Sequence, residues 1–129
     1  MRNTKKVLMV LMLLGFVLQG CAMMKSSPYG PDHATYSDEK LHVTYNNTLF
    51  RTYEASRSAL QDMGMNITNV QKKPNEVRID ATMKNGTDVH LILHAEKPDL
   101  TAVDIKVGQY GLEPASREIS EKIESHLKV

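Results

Sequence analysis

Residues 76–95 read EVRIDATMKNGTDVHLILHA, and their alternation decides the fold. Val77, Ile79, Ala81 and Met83 fall on one side of an extended chain. After a polar break, Val89, Leu91, Leu93 and Ala95 do the same, as two strands buried on a common face would. The break sets the register. A two-residue Asn85-Gly86 turn would place Thr82 opposite Val89, a polar side chain against an apolar one. A three-residue loop, Lys84-Asn85-Gly86, places Ala81 opposite Val89 and Ile79 opposite Leu91, which keeps one face apolar. The expectation is therefore a type I turn with Gly86 in the left-handed bulge position.

Working outward, a loop at Lys97-Pro98-Asp99 pairs Ala95 with Thr101 and Leu93 with Val103. It adds a strand with Val103, Ile105 and Val107 on the apolar side. The strand before Pro74 is less regular, because Ile67 and Val70 face inward together only across a bulge, and its register stays open. Further upstream, Leu41, Val43 and Tyr45 alternate against His42, Thr44 and Asn46, a strand whose place in the sheet is also open. Asn46, Asn47 and Thr48 can cap a helix that carries Leu49, Tyr53, Leu60 and Met63 in a stripe beside Ala55 and Ala59, and that closes at Gly64. The last helix starts near Pro114 and buries Ala115, Ile119, Ile123 and Leu127, with Glu118 and Lys122, and Glu124 and Lys128, spaced as exposed pairs. The expected class is α+β, a single antiparallel sheet of order β-α-β-β-β-β-α with two helices packed on one face. With no Trp and two Phe, the core must be built from Val, Ile, Leu, Met and Tyr.

The start of the chain has a different character. Arg2, Lys5 and Lys6 precede residues 7–18, which carry no charge; this is the basic and apolar pattern of an export signal. A membrane-crossing helix needs about 20 apolar residues, and this run meets Gln19 first. It ends in Leu18-Gln19-Gly20-Cys21, which resembles the lipobox of bacterial lipoprotein precursors, although Gln19 is a less usual occupant of its slot. The resemblance implies cleavage between Gly20 and Cys21 and acylation of Cys21, the single cysteine of the chain. Two other readings, a plain secretory signal cut at Gly20 and an uncleaved anchor over residues 7–24, leave the cysteine's position as coincidence or rest on too short a run. Ala22, rather than Asp, after the cysteine resembles lipoproteins passed to the outer membrane. The expected location is thus the cell envelope, lipid-anchored on the periplasmic side of the outer membrane. Residues 1–20 read as signal peptide, 21–40 as lipidated cysteine and flexible tether, and 41–129 as the α+β domain. Losing the leader leaves 13 basic against 15 acidic residues, a balance that speaks against nucleic acid as a partner.

Over residues 41–127 the chain resembles short bacterial lipoproteins grouped under a domain of unknown function. The features are Phe50 and Tyr53, residues 60–64 closing the first helix, the hairpin glycine Gly86, residues 101–108 and residues 116–123. The resemblance implies location and fold and supplies no activity. The architecture is also similar to the helix-grip domains of lipoprotein accessory subunits in outer-membrane assembly machines, a likeness of fold alone.

Chemistry-bearing patterns are sparse. His90 and His94 lie four residues apart on one strand, about 13 Å, too far to share an ion, so no metal site is expected. In the register above, Asp80 lies opposite His90 with Lys106 on its other side, which reads as a solvated cross-strand charge row. Ser56, Ser58, Ser116, Ser120 and Ser125 lie on helices as surface or packing residues. No phosphate loop, HExxH pair or nucleophile elbow is present, so neither enzyme activity nor a cofactor is expected. The sheet face opposite the helices should present Arg78, Asp80, His90, Ile92, His94, Asp104 and Lys106, and it is the expected docking surface. Two functions remain: an interaction or accessory subunit with an envelope protein partner, or a small module holding an apolar ligand such as lipid.

Overall fold

The computed structural model describes residues 34–128; the expected export signal, Cys21 and the expected tether as far as residue 33 lie outside them. Six strands form one sheet: β1 (Ala34–Ser37), β2 (Lys40–Tyr45), β3 (Asn66–Lys73), β4 (Glu76–Thr82), β5 (Asp88–Lys97) and β6 (Leu100–Val107). Helix α1 (Leu49–Asp62) connects β2 to β3, and α2 (Glu113–Leu127) follows β6. The strands lie in the order β1-β2-β6-β5-β4-β3, every neighbouring pair antiparallel. The α+β class, the single sheet and the two helices are as the sequence predicts.

One strand departs from that reading. Residues 34–40, expected to belong to a flexible tether, instead include an edge strand on β2, Ala34–Ser37. Ser37 pairs with Lys40 across Asp38 and Glu39, which both take positive φ, 52° and 63°. A two-residue hairpin of this hand is usually announced by Asn-Gly or Asp-Gly. Asp-Glu announces nothing, and left-handed backbone costs such residues about 1–2 kcal/mol each. The strain is held by what lies across it. The Tyr36 hydroxyl donates to the Gly111 carbonyl, and Gly111, itself at φ 67°, packs directly against the Glu39 carbonyl.

The other hairpins follow the apolar pattern. Ala81 pairs with Val89 and Ile79 with Leu91; the Met83 N–H reaches the Thr87 carbonyl at 2.8 Å around Gly86 at φ 87°. Leu93 pairs with Val103 and Ala95 with Thr101 as expected, but the tip is tighter than a three-residue loop. Lys97 pairs with Leu100 around Pro98-Asp99, and Glu96 is absorbed as a bulge. On β3 the register shifts between Ile67 and Asn69, so Ile67 faces Ala81 and Val70 faces Ile79. That is the bulge needed to turn both inward, and the Thr68 hydroxyl fastens it to the Asp80 carbonyl at 3.1 Å.

Thr48 caps α1, accepting the Arg51 N–H at 3.2 Å. The helix ends in a Schellman arrangement: Gly64, at φ 74°, donates to Gln61 and Met65 donates to Leu60. Both helices lie on the sheet face that carries Leu41, Val77, Ile79, Val89, Leu91, Leu93, Val103, Ile105 and Val107, all at most 5% exposed. Burying such side chains stabilises by about 1.5–3 kcal/mol each. From the helices come Tyr53, Ala59, Leu60, Ile119 and Ile123. Thr52, Ser56, Ser116 and Ser120 are buried as well. Their hydroxyls bond back to carbonyls one turn earlier at 2.7–2.9 Å, so small polar side chains can be buried without an orphaned group. Tyr45 reaches the Ser120 carbonyl at 2.8 Å, and burial pushes its ionisation well above the usual tyrosine range.

The junction at Gly111 gives a test. A Cβ there would lie 2.0 Å from the Glu39 carbonyl oxygen, whereas one at Gly86 meets nothing within 4 Å. Gly86→Ala should cost about 1–2 kcal/mol of backbone strain alone, and Gly111→Ala about 2–5 kcal/mol because overpacking adds to it. Urea melts of the two variants, compared with wild type, measure the difference.

Candidate functional site

Because side chains alternate along a strand, burying one face of this sheet commits the intervening residues to the other. Three rows result. Lys106 and His90 are neighbours, then Asp80 and Asn69; in the next row stand His42, Asp104, Ile92, Arg78 and Gln71; in the third, Thr44, Ala102, His94, Glu76 and Lys73. Leu41 pairs with Ile105, which sets their outward neighbours Lys40 and Lys106 side by side at the end of the first row.

Polar side chains pair across the face. His90 Nδ1 donates to Asp80 Oδ1 at 2.7 Å, and His42 Nδ1 to Asp104 Oδ1 at 2.7 Å. His42 Nε2 also meets the Ser37 carbonyl at 3.3 Å. Both partners of His42 are acceptors, so the two bonds form together only on the cationic ring. Arg78 Nε donates to Glu76 at 3.3 Å and Lys106 Nζ to Glu39 at 3.4 Å. Lys40 has no ion pair among the described residues. The hydrogen bond from His90 is the main reason that the Asp80 carboxyl lies below the ordinary aspartate range, with Asn69 and Arg78 helping and slight burial opposing.

Six of the seven residues assigned to this face from the sequence, Arg78, Asp80, His90, Ile92, Asp104 and Lys106, line one concavity of about 260 Å³, together with Lys40 and Leu91. The seventh, His94, faces the same side but stands a row away between Glu76 and Ala102. Lys40 and His42 belong to the site although the sequence reading leaves Lys40 in the tether and His42 without a neighbour. The signal was their parity with Leu41 and Val43, which places both on the polar side. His90 and Lys106 also border a wider shelf of about 670 Å³ formed by Gly86, Thr87, Asp88, Gly108, Gln109, Tyr110 and Leu112. Among the described residues no group of three His, Cys, Asp or Glu could hold a metal ion, and no helix is long and apolar enough to cross a membrane.

Fold and face define a small α+β protein with a six-stranded antiparallel sheet, covered by helices on one side and open on the other. The chain belongs to the family described as protein of unknown function (DUF3568), whose model matches residues 6–126. No curated protein sequence matches it.

The Asp80 and His90 pair can be probed directly. In an NMR titration of side-chain carboxyls, Asp80 should titrate below an ordinary aspartate, and His90→Asn should move its midpoint upward. A carboxyl with a depressed folded value contributes stability above its unfolded pKa and loses it as the pH falls through the folded one. The stability gap between wild type and His90→Asn attributable to Asp80 should therefore narrow below about pH 4.

Proposed function

We propose that this protein is a lipoprotein of the bacterial cell envelope, held by acyl chains on Cys21 on the periplasmic side of the outer membrane. There it acts as a non-catalytic interaction or accessory subunit through its open sheet face. The anchoring rests on the basic and apolar leader, its end at Leu18-Gln19-Gly20-Cys21, and the position of the only cysteine. The family match begins at residue 6, so most of the leader and Cys21 are within the matched segment. The observation that carries the working surface is the open-face concavity itself, where charged side chains surround the partly buried Ile92.

The alternative, a module with an apolar ligand between sheet and helices, has less support. The inward residues there fill one another: Leu60, Ile79, Leu91, Leu93, Ile105, Ile119 and Ile123 are each at most 1% exposed. A chain this poor in aromatics has little apolar surface left over to line a cavity.

Two outcomes are expected. Cys21→Ser should abolish incorporation of labelled fatty acid and release the protein from membranes on carbonate washing; retention after the wash would favour an uncleaved anchor. For the surface, a photo-crosslinker at position 92 in intact envelopes should capture a partner that one at Arg57 or Glu121 on the helices does not, and Ile92→Asp should weaken that association without lowering the melting temperature. Capture from the helix positions alone would move the docking surface to the other side.

A further inference from the structure

We propose that the open sheet face pairs with the same face of a second copy of this chain, about a two-fold axis that runs along β5. The inference rests on the reading of that face as the working surface and names its occupant. Charge complementarity carries it. Across β6, β5 and β4 the outward side chains read Lys106, His90, Asp80 in one row, Asp104, Ile92, Arg78 in the next and Ala102, His94, Glu76 in the third. A two-fold along β5 keeps each row in place and exchanges its ends. Lys106 of one copy then meets Asp80 of the other, and Asp104 meets Arg78, each twice. Further out β2 meets β3, which sets Lys40, His42 and Thr44 against Asn69, Gln71 and Lys73 with no like charges opposed. On the axis His90, Ile92 and His94 meet their own copies, with Ile92 at the centre. Each histidine has an acid beside it, Asp80 or Glu76, to balance a ring proton.

Other placements of the axis lose this match. One along β6 opposes Lys106 to Lys106 and Asp104 to Asp104. One along β4 opposes Asp80, Arg78 and Glu76 to themselves, and one across the strands through the middle row does so to Asp104 and Arg78. Like charges so placed work against association. The groups that β5 brings together are also free to engage. Arg78 uses only Nε on Glu76, and Asp104 only Oδ1 on His42, so a guanidinium fork and a carboxylate oxygen remain for the other copy. The concavity of about 260 Å³ around Ile92 gives the long side chains room to cross. Five strands by three rows cover about 24 by 20 Å, close to the low end of specific protein interfaces. Two sheets stacked this way lie about 10 Å apart with strands nearly aligned, and the helices stay on the outer sides. An axis along the strands also brings Ala34 of both copies to the same end of the pair. With twelve residues between Cys21 and Ala34, a reach of at most about 40 Å, both chains can then enter one membrane under the anchoring proposed above.

The test co-expresses two differently tagged full chains, each with a photo-crosslinker at position 94 on the axis, and reads the products in intact envelopes. Wild-type chains should give a product that carries both tags. Arg78→Asp in both chains, or Asp104→Arg in both, opposes like charges at two contacts and should lower that product by about tenfold. Arg78→Asp in one chain with Asp104→Arg in the other sets an acid opposite a base at both contacts again. That mixed pair should restore the product, which also shows that each variant folds. A product unchanged in the single variants, or not restored in the mixed pair, would overturn the proposal. A product that joins each chain only to a different protein would overturn self-pairing and leave the open face as a docking surface. Capture only by the same crosslinker at Arg57 or Glu121 on the helices would overturn both readings.

Discussion

Val89, Leu91 and Leu93 on β5 have at most 1% of their surface in water, and the strand that carries them lies between β4 and β6. Their burial is the constraint on which the rest depends. Each hairpin neighbour must match them side chain for side chain, as Ile79 does for Leu91 and Val103 for Leu93. A slip of one residue in either register would turn an entire apolar set to solvent. The same period of two sends His90, Ile92 and His94 to the opposite side, so the composition of the open face follows from burial of the inner one. In a sheet covered on one side only, the free face is expected to be polar. Here that requirement brings His90 next to Asp80, and His42 next to Asp104, as cross-strand neighbours.

The connection through α1 adds a second constraint. It carries the chain from β2, near one edge, to β3 at the other, and the following meander then walks back until β6 meets β2. The last strand therefore closes against the first part of the domain, and its exit into α2 runs beneath the β1–β2 turn. Gly111 tolerates no side chain there because the Glu39 carbonyl occupies the space. Close approach of two loops, a hydroxyl from Tyr36 and an edge strand of four residues thus form one unit at that end of the sheet. The unit also decides where Lys40 and the shelf residues stand.

What was legible in the sequence was local. The Gly86 loop, the pairings of Ala81 and Leu93, the bulge required by Ile67 and Val70, and both helix boundaries follow from side-chain alternation and turn chemistry within a few tens of residues. The face residues Asp80, His90 and Lys106 were legible because two adjacent hairpins carried their register. What escaped was either long-range or unsignalled. Nothing local states that β2 pairs with β6, so the partnership of His42 with Asp104, 62 positions apart, had no sequence signal of its own. The β1 hairpin escaped because Asp38-Glu39 lacks the residues that favour its turn, and Lys40 was lost with it. The buried Ser56 and Ser116 read equally well as surface residues, since the bonds that satisfy them are internal to their own helices.

The charged groups of the open face contribute little to holding the fold. The side chains of His90 and Asp80 are 52% and 40% exposed, those of Arg78 and Glu76 51% and 27%, and ion pairs so open to solvent are worth about 0–1 kcal/mol. Each apolar residue on the reverse side of the same strands is worth more than any of these pairs. Stability and surface chemistry are therefore carried by alternate residues of the same strands, and the outward ones are free to vary without endangering the core. Lys40 and Lys106, side by side at one end of the open face, belong to this outward set, and the Glu39 carboxylate at 3.4 Å from Lys106 offsets part of their repulsion.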